Sequence, residues 1–269
     1  MKLISVFAFV LASGFAFAAA PGNIAVGSVE GTVVVTAADG VKKQLVAGYV
    51  IRENSRVSTD KDSTAKFILA NGTVVVLKPN TTLDISQFEQ NNPSAVDGQD
   101  YSTFAVEPEE TAGSLTTVRL VKGTALFKVA KLLPGSKLTV KTSAGDVAVK
   151  GTTFYVTVSG ASVSAGCIDG AIAVSPTGRA TLTLTAGKSA TISSTSGALS
   201  FGRASVALTN EAKAAFAEEE TKKATSSTTG TGAADAFDVT MPPASVEGPV
   251  GADRIPVNSA SSTDNGGEY

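Results

Sequence analysis

The chain contains no histidine, which removes the commonest general base, the commonest metal ligand and every Ser–His or Cys–His nucleophile pair. What remains is a set of carboxylates, lysines and one thiol. Asp39 precedes Gly40, Asp146 follows Gly145 and Asp169 precedes Gly170, positions where an aspartate bonds its own backbone in a turn. Carboxylate chemistry of the glycosidase kind would need two such groups facing each other across a groove. Asp60-Lys61-Asp62 offers oxygens to a cation but lacks the further ligands and closing glutamate of a calcium loop. Lys122 and Lys150, each followed by Gly-Thr, are the candidates for binding an anionic group. Neither forms a phosphate loop, because the Gly-Lys-Thr order and the strand-to-helix setting are missing. Cys167 stands alone, so no intrachain disulfide can form, and it shares parity with Val163 and Ala165 as a buried small residue does. No catalytic residue, cofactor or metal site is expected.

Composition points the same way. Abundant Val and Thr, 26 glycines, no tryptophan and 17% charged residues favour a β-rich exported protein, and 269 residues suffice for a substantial core. A formal net charge of -2 gives none of the concentrated basic surface that nucleic acid requires. Lys2, an apolar run from Leu3 to Phe17 and the small-x-small step Ala16-Phe17-Ala18 read as a signal peptide over residues 1–18, cleaved after Ala18. No later segment is long and uninterrupted enough to be a permanent membrane span. The mature protein is expected outside the cytoplasm, periplasmic or extracellular.

The elements that must position these groups are short strands. Val118 and Leu120 alternate in one phase and Ala125, Phe127 and Val129 in the other, with Lys122-Gly123-Thr124 between them. Val147 and Val149 against Phe154, Val156 and Val158 repeat the switch around Lys150-Gly151-Thr152. A strand buries one face at period two, so each switch marks a bend or bulge at its glycine. Phe67-Ile-Leu69, Asn71-Gly72 and Thr73 to Leu77 read as a hairpin with a type I′ turn. Glu30-Gly31-Thr32, Asn71-Gly72-Thr73 and Asp169-Gly170-Ala171 echo the two corners, as stacked short β units would.

Thr142, Ala144, Val149-Lys-Gly-Thr152, Phe154 and Val156 resemble the Thr-Pro-x-Ala…Val-Arg-Gly-Thr-x-Phe-x-Val heart of FecR-type domains, with Ser143 for the usual Pro and Lys150 for the usual Arg. Gly31-Thr-Val, Leu45-x-x-Gly48, Val57-Ser-Thr59, Asn71-Gly72-Thr73, Pro79-Asn80, Leu120-x-x-Gly123, Gly170-x-Ile172 and Leu184-x-x-Gly187 follow in the family's order over about residues 24 to 195. Where the family has Gly-Asp before its Val-x-Thr step, this chain has Asn54-Ser55. The resemblance implies a β-solenoid-like architecture and marks Gly31, Gly48, Gly72, Gly123, Thr142, Gly151, Thr152, Phe154, Gly170 and Gly187 as its structural motif. It also implies a sensory role, which in the family follows a cytoplasmic anti-sigma segment and a transmembrane helix. Neither is expected here, since the β region begins almost directly after the leader, so direct sigma-factor control does not carry over.

Residues 87–114 read as an acidic loop, solvated or partner-binding, in which Tyr101, Phe104 and Val106 could form a docking strand. A helix is expected over 203–224, capped by Thr209 or Asn210, docked through Ala212, Ala215 and Phe216 and carrying Glu218–Lys222 and Glu219–Lys223 pairs. Residues 225–269 read as a linker and disordered tail.

The fold class expected is all-β: a compact β-solenoid-like or rolled β-sandwich domain over 24–202, then the helix and tail. The expected function is a non-catalytic binding, sensory or scaffolding module that recognises an envelope protein or glycan. Two alternatives stand beside it: a surface-assembly protein that self-associates by stacking, and a His-free glycan-active enzyme.

Overall fold

The computed structural model describes residues 19–91 and 109–228. Its strands divide between two sheets, and the chain moves back and forth between them. In sheet A lie β1 (Ala19–Pro21), then, after β2 (Ile24–Glu30) in sheet B, β3 (Val33–Thr36) and β4 (Lys42–Gln44). β5 (Val50–Ile51) returns to B and β6 (Ser55–Thr59) to A; β7 (Thr64–Leu69) and β8 (Val74–Leu77) form a hairpin in B. β9 (Thr82–Asn91) is in A, and β10 (Ser114–Lys128) starts in A beside β9 and ends in B between β8 and β13 (Thr153–Ser159). The hairpin β11 (Lys137–Thr142) and β12 (Gly145–Val149) is in A, and β13 pairs with β14 (Ser162–Asp169) in B. β15 (Ala171–Pro176) with β16 (Leu182–Thr185) closes A, and β17 (Lys188–Ser193) with β18 (Leu199–Arg203) closes B.

Sheet A therefore runs β4-β3-β6-β9-β10-β11-β12-β15-β16, with β1 on the far end of β9, and sheet B runs β5-β2-β7-β8-β10-β13-β14-β17-β18. All neighbours are antiparallel except β10 and β11. Among the described residues β4, β16, β5 and β18 each pair on one side only, so both sheets are open and β10 is the strand they share. Val57, Val140 and Ile172 from A meet Phe67, Phe127 and Phe154 from B in one continuous core.

The two phase switches are sheet changes. Val118 and Leu120 fill the core from sheet A, Ala125 and Phe127 from sheet B, and the ladder slips between Leu120 and Lys122. Such crossings share one backbone device. From β2 to β17 each passage between the sheets contains a positive φ, at Gly31, Gly48, Asn54, Asp62, Asn80, Gly123, Gly135, Gly151, Gly170 and Gly187 in turn. Asn54 (φ 59°) occupies a left-handed position, which Asn tolerates better than most residues because its short amide can bond locally. Gly72, also at positive φ, is in the β7–β8 hairpin.

That hairpin departs from the expected turn. Only Gly72 has positive φ, and Leu69 N–H donates to Thr73 C=O (2.8 Å), giving a three-residue loop rather than type I′. The buried Asn71 side chain explains the difference: Oδ1 accepts Thr73 N–H at 3.1 Å and Nδ2 donates to Ser114 Oγ at 3.0 Å.

β8 reads as an uninterrupted apolar run, and β7 as one broken only by Lys66, because both faces of this hairpin are covered. The outer face of sheet B, at Val74, Val76, Leu126 and Tyr155, lies under Ala212 and Phe216 of α1 (Val206–Thr228). The helix starts a turn earlier than the expected Thr209 or Asn210 cap. Ser205 caps it, its Oγ accepting Leu208 N–H at 3.3 Å, while Ser205 N–H donates to Tyr155 Oη at 2.8 Å and Lys78 pairs with Glu211 at 2.8 Å. It also continues to Thr228, into the expected linker, since no Gly or Pro interrupts the chain before Gly230. The side chains of Glu218, Glu219, Lys222 and Lys223, and residues 229–269, are outside the described set.

Candidate functional site

The two Lys-Gly-Thr corners hold their glycines by contact as well as by φ. Gly123 (φ 90°) packs so closely on Thr81 that a Cβ would overlap it, and Thr81 Oγ1 accepts Thr124 N–H at 3.0 Å. Gly151 (φ 118°) would place a Cβ 2.9 Å from Lys131 Cα. Thr152 C=O accepts Val129 N–H at 2.9 Å, and Thr142 Oγ1 donates to Gly145 C=O at 2.6 Å to close the β11–β12 turn. Lys122 and Lys150 are both exposed. The register sets Gly123 opposite Val158 and Lys128 opposite Thr153, so the corners lie at opposite ends of the β10–β13 pair and the structure does not gather the two lysines into one site. Tyr101 and Phe104 are outside the described residues.

The acidic loop is shorter than the sequence suggests. Gln87 to Asn91 continue β9, with Phe88 fully buried and paired to Thr116. A bulge between Ile85 and Gln87 shifts the alternation, and that hid the strand. On the far side, Glu110 is not solvated but buried: Oε1 accepts the Ser114 hydroxyl and Oε2 accepts Leu133 N–H at 2.9 Å. Ser114 N–H donates to Ser136 Oγ at 2.9 Å, so Asn71, Ser114, Glu110 and Ser136 form one buried polar knot. Charge alone could not reveal it, since the partners come from separate turns.

Two adjoining clefts, of about 550 and about 400 Å³, open beside the β3–β4 hairpin and share Ala37, Ala38 and Ser55 as their common wall. One is lined by Arg56 and Asp84, a bidentate pair at 2.5 and 2.9 Å; the other by Lys43, Tyr49, Arg52 and Glu53. The carboxylates here are engaged. Asp84 is held by Arg56, Glu53 Oε2 accepts Phe88 N–H at 3.2 Å, and Asp39 Oδ1 accepts Val41 N–H at 2.9 Å. A half-buried tyrosine ring beside planar charged groups suits a polar ligand that offers hydroxyls or amides. Sequence reading missed this site because its members are spread from Val35 to Ser86 and none carries a motif.

Other chemistry is sparse. Among the described residues no cluster of three acidic or cysteine side chains could hold a metal ion. Cys167 is buried, its Sγ 3.4 Å from Gly170 C=O, and burial, with Asp169 nearby, pushes its pKa up to about 11. A cavity of about 20 Å³ between the sheets is lined almost wholly by apolar residues, including Ile24, Phe67, Val118 and Phe127. No described helix is long and apolar enough to cross a membrane.

Comparison with known proteins matches residues 55–173 to the family described as FecR protein. Two crystal structures of a proposed anti-sigma factor from Parabacteroides distasonis ATCC 8503, at 1.65 and 2.50 Å resolution, share 19% identity with this chain, with a TM-score of 0.41. The matched region covers 55% of this chain and 59% of theirs. No curated protein matches.

Proposed function

Because this chain carries a FecR-type domain, we propose that it works as a non-catalytic recognition module of the cell envelope, binding an envelope glycan or the polar face of an envelope protein in the clefts beside β3–β4. The observation that carries this is the engagement of the cleft carboxylates: Asp84, Glu53 and Asp39 each serve an arginine or a backbone amide, which suits a rigid recognition surface and not acid–base work. Export fits the same reading. Cleavage after Ala18 would leave Ala19–Pro21, the strand that pairs with β9, at the mature N-terminus. Protein recovered from the periplasm should then begin at Ala19 on N-terminal sequencing.

The test is capture from envelope extract, together with a panel of envelope glycans, using the mature protein and its Tyr49→Ala and Arg52→Ala variants. Retention by the wild type and loss of about tenfold in affinity in either variant supports the clefts. Equal retention by all three proteins removes them.

Stacking of domains into a surface assembly is the weaker reading. The outer strand of sheet A at the amino-terminal end, β4, presents Lys42 and Lys43, the kind of charge that blunts an edge against pairing with another copy. Light scattering over a concentration series should show a single species.

A further inference from the structure

The other end of the sandwich is unfinished. β18 is the last strand of sheet B and pairs only with β17 among the described residues. Phe201 sits opposite Ala190, which is fully buried, so its ring is on the inner side of sheet B. There it is 67% exposed. The chain then turns away: Ala204 N–H donates to Gly187 C=O, and α1 packs on the outer face over Val76 and Leu126. An inner-face aromatic left in the open beside backbone groups of Leu199 and Phe201 that no described strand pairs, the Arg203 carbonyl being taken by the Ser189 hydroxyl, is the situation that added strands resolve.

Charge indicates what such a strand carries. From Ala171 to Arg203 the charged residues are Arg179, Lys188 and Arg203, with no Asp or Glu, in a chain whose net charge is negative. Arg179 lies beside Gly197 at the start of β18, and Lys188 pairs with Arg203 at its end, so cations bracket the edge with Phe201 between them.

We propose that the free edge of β18 receives an extended segment of a partner protein, one with acidic side chains and an apolar residue set beside Phe201. The segment adds a strand to sheet B, main-chain bonds supplying the attachment, and its apolar side chain and carboxylates supplying selectivity. This surface is separate from the clefts at β3–β4, so each can fail alone.

The probe is a fluorescein-labelled peptide alternating valine with glutamate and threonine, titrated against the full mature chain. Two control peptides replace glutamate with lysine or carry N-methyl groups on alternate amides. The acidic peptide should bind, weaken as salt rises, and shift backbone amide resonances of Leu199–Arg203. Phe201→Ser, which leaves the unfolding midpoint unchanged because the ring is exposed, should weaken it by about tenfold. Arg179→Gln with Arg203→Gln should flatten the salt dependence, and the N-methylated peptide should not bind. Tyr49→Ala should bind the peptide normally. The proposal is overturned if the acidic peptide does not bind, if either control peptide binds as well, or if Phe201→Ser leaves affinity intact.

Discussion

Phe127 and Phe154 face each other across β10 and β13 with ring centroids 4.7 Å apart and planes 7° from parallel, both fully buried. Each lies a few residues beyond a Lys-Gly-Thr corner, so the two bends deliver the two rings to one place in sheet B. Phe154→Ala should cost about 3–5 kcal/mol in urea unfolding, and a double-mutant cycle with Phe127→Leu should show coupling of about 0.5–1.5 kcal/mol. Additive effects would mean that the stack contributes nothing beyond burial.

The corners themselves are open to a paired test. Gly123→Ala and Gly151→Ala combine a strained φ with a collision against Thr81 or Lys131 and should each cost about 1–3 kcal/mol. Asn54→Gly should stay within about 0.5 kcal/mol, because glycine meets the same φ of 59° freely, whereas Asn54→Val should lose about 1–2 kcal/mol. Chemical denaturation of the four variants checks the ranking.

Glu110→Ala leaves the buried Ser114 hydroxyl and Leu133 amide without their acceptor and should destabilise by about 1–3 kcal/mol. Hydrogen exchange gives the sharper readout: the Leu133 amide should lose protection while amides in β14 and β17 keep theirs.

Cys167 should resist alkylation by iodoacetamide at pH 8 and react in unfolded protein. A thiol whose pKa is raised from 9.0 to about 11 on folding holds its proton more tightly in the native state, so the stability it lends is present below pH 9 and is lost as pH rises through 11. Reaction at the same rate in folded and unfolded chains would contradict its burial.

Much of the fold is legible in local spacing. The alternation of Val147, Val149, Phe154 and Val156 foretells the bend at Gly151, and that of Val118, Leu120, Ala125 and Phe127 foretells the bend at Gly123. The candidate site was far less visible. Arg56 and Asp84 are 28 residues apart and Asn71 and Ser114 are 43 apart, and no period of two or of 3.6 joins such residues. The bulge at Ser86 moved Phe88 off the expected parity, so a strand read as loop.

The sequence by itself determined the short strands, their hinges and the absence of histidine chemistry, because φ preferences and the period-two burial of a strand belong to neighbouring residues. Tertiary structure alone decided that β10 serves both sheets, that α1 covers Val74 and Val76, that Glu110 is buried and that Phe201 is left open. Those outcomes depend on which distant surface arrives opposite a residue, and that is set only when both sheets have closed on their shared core.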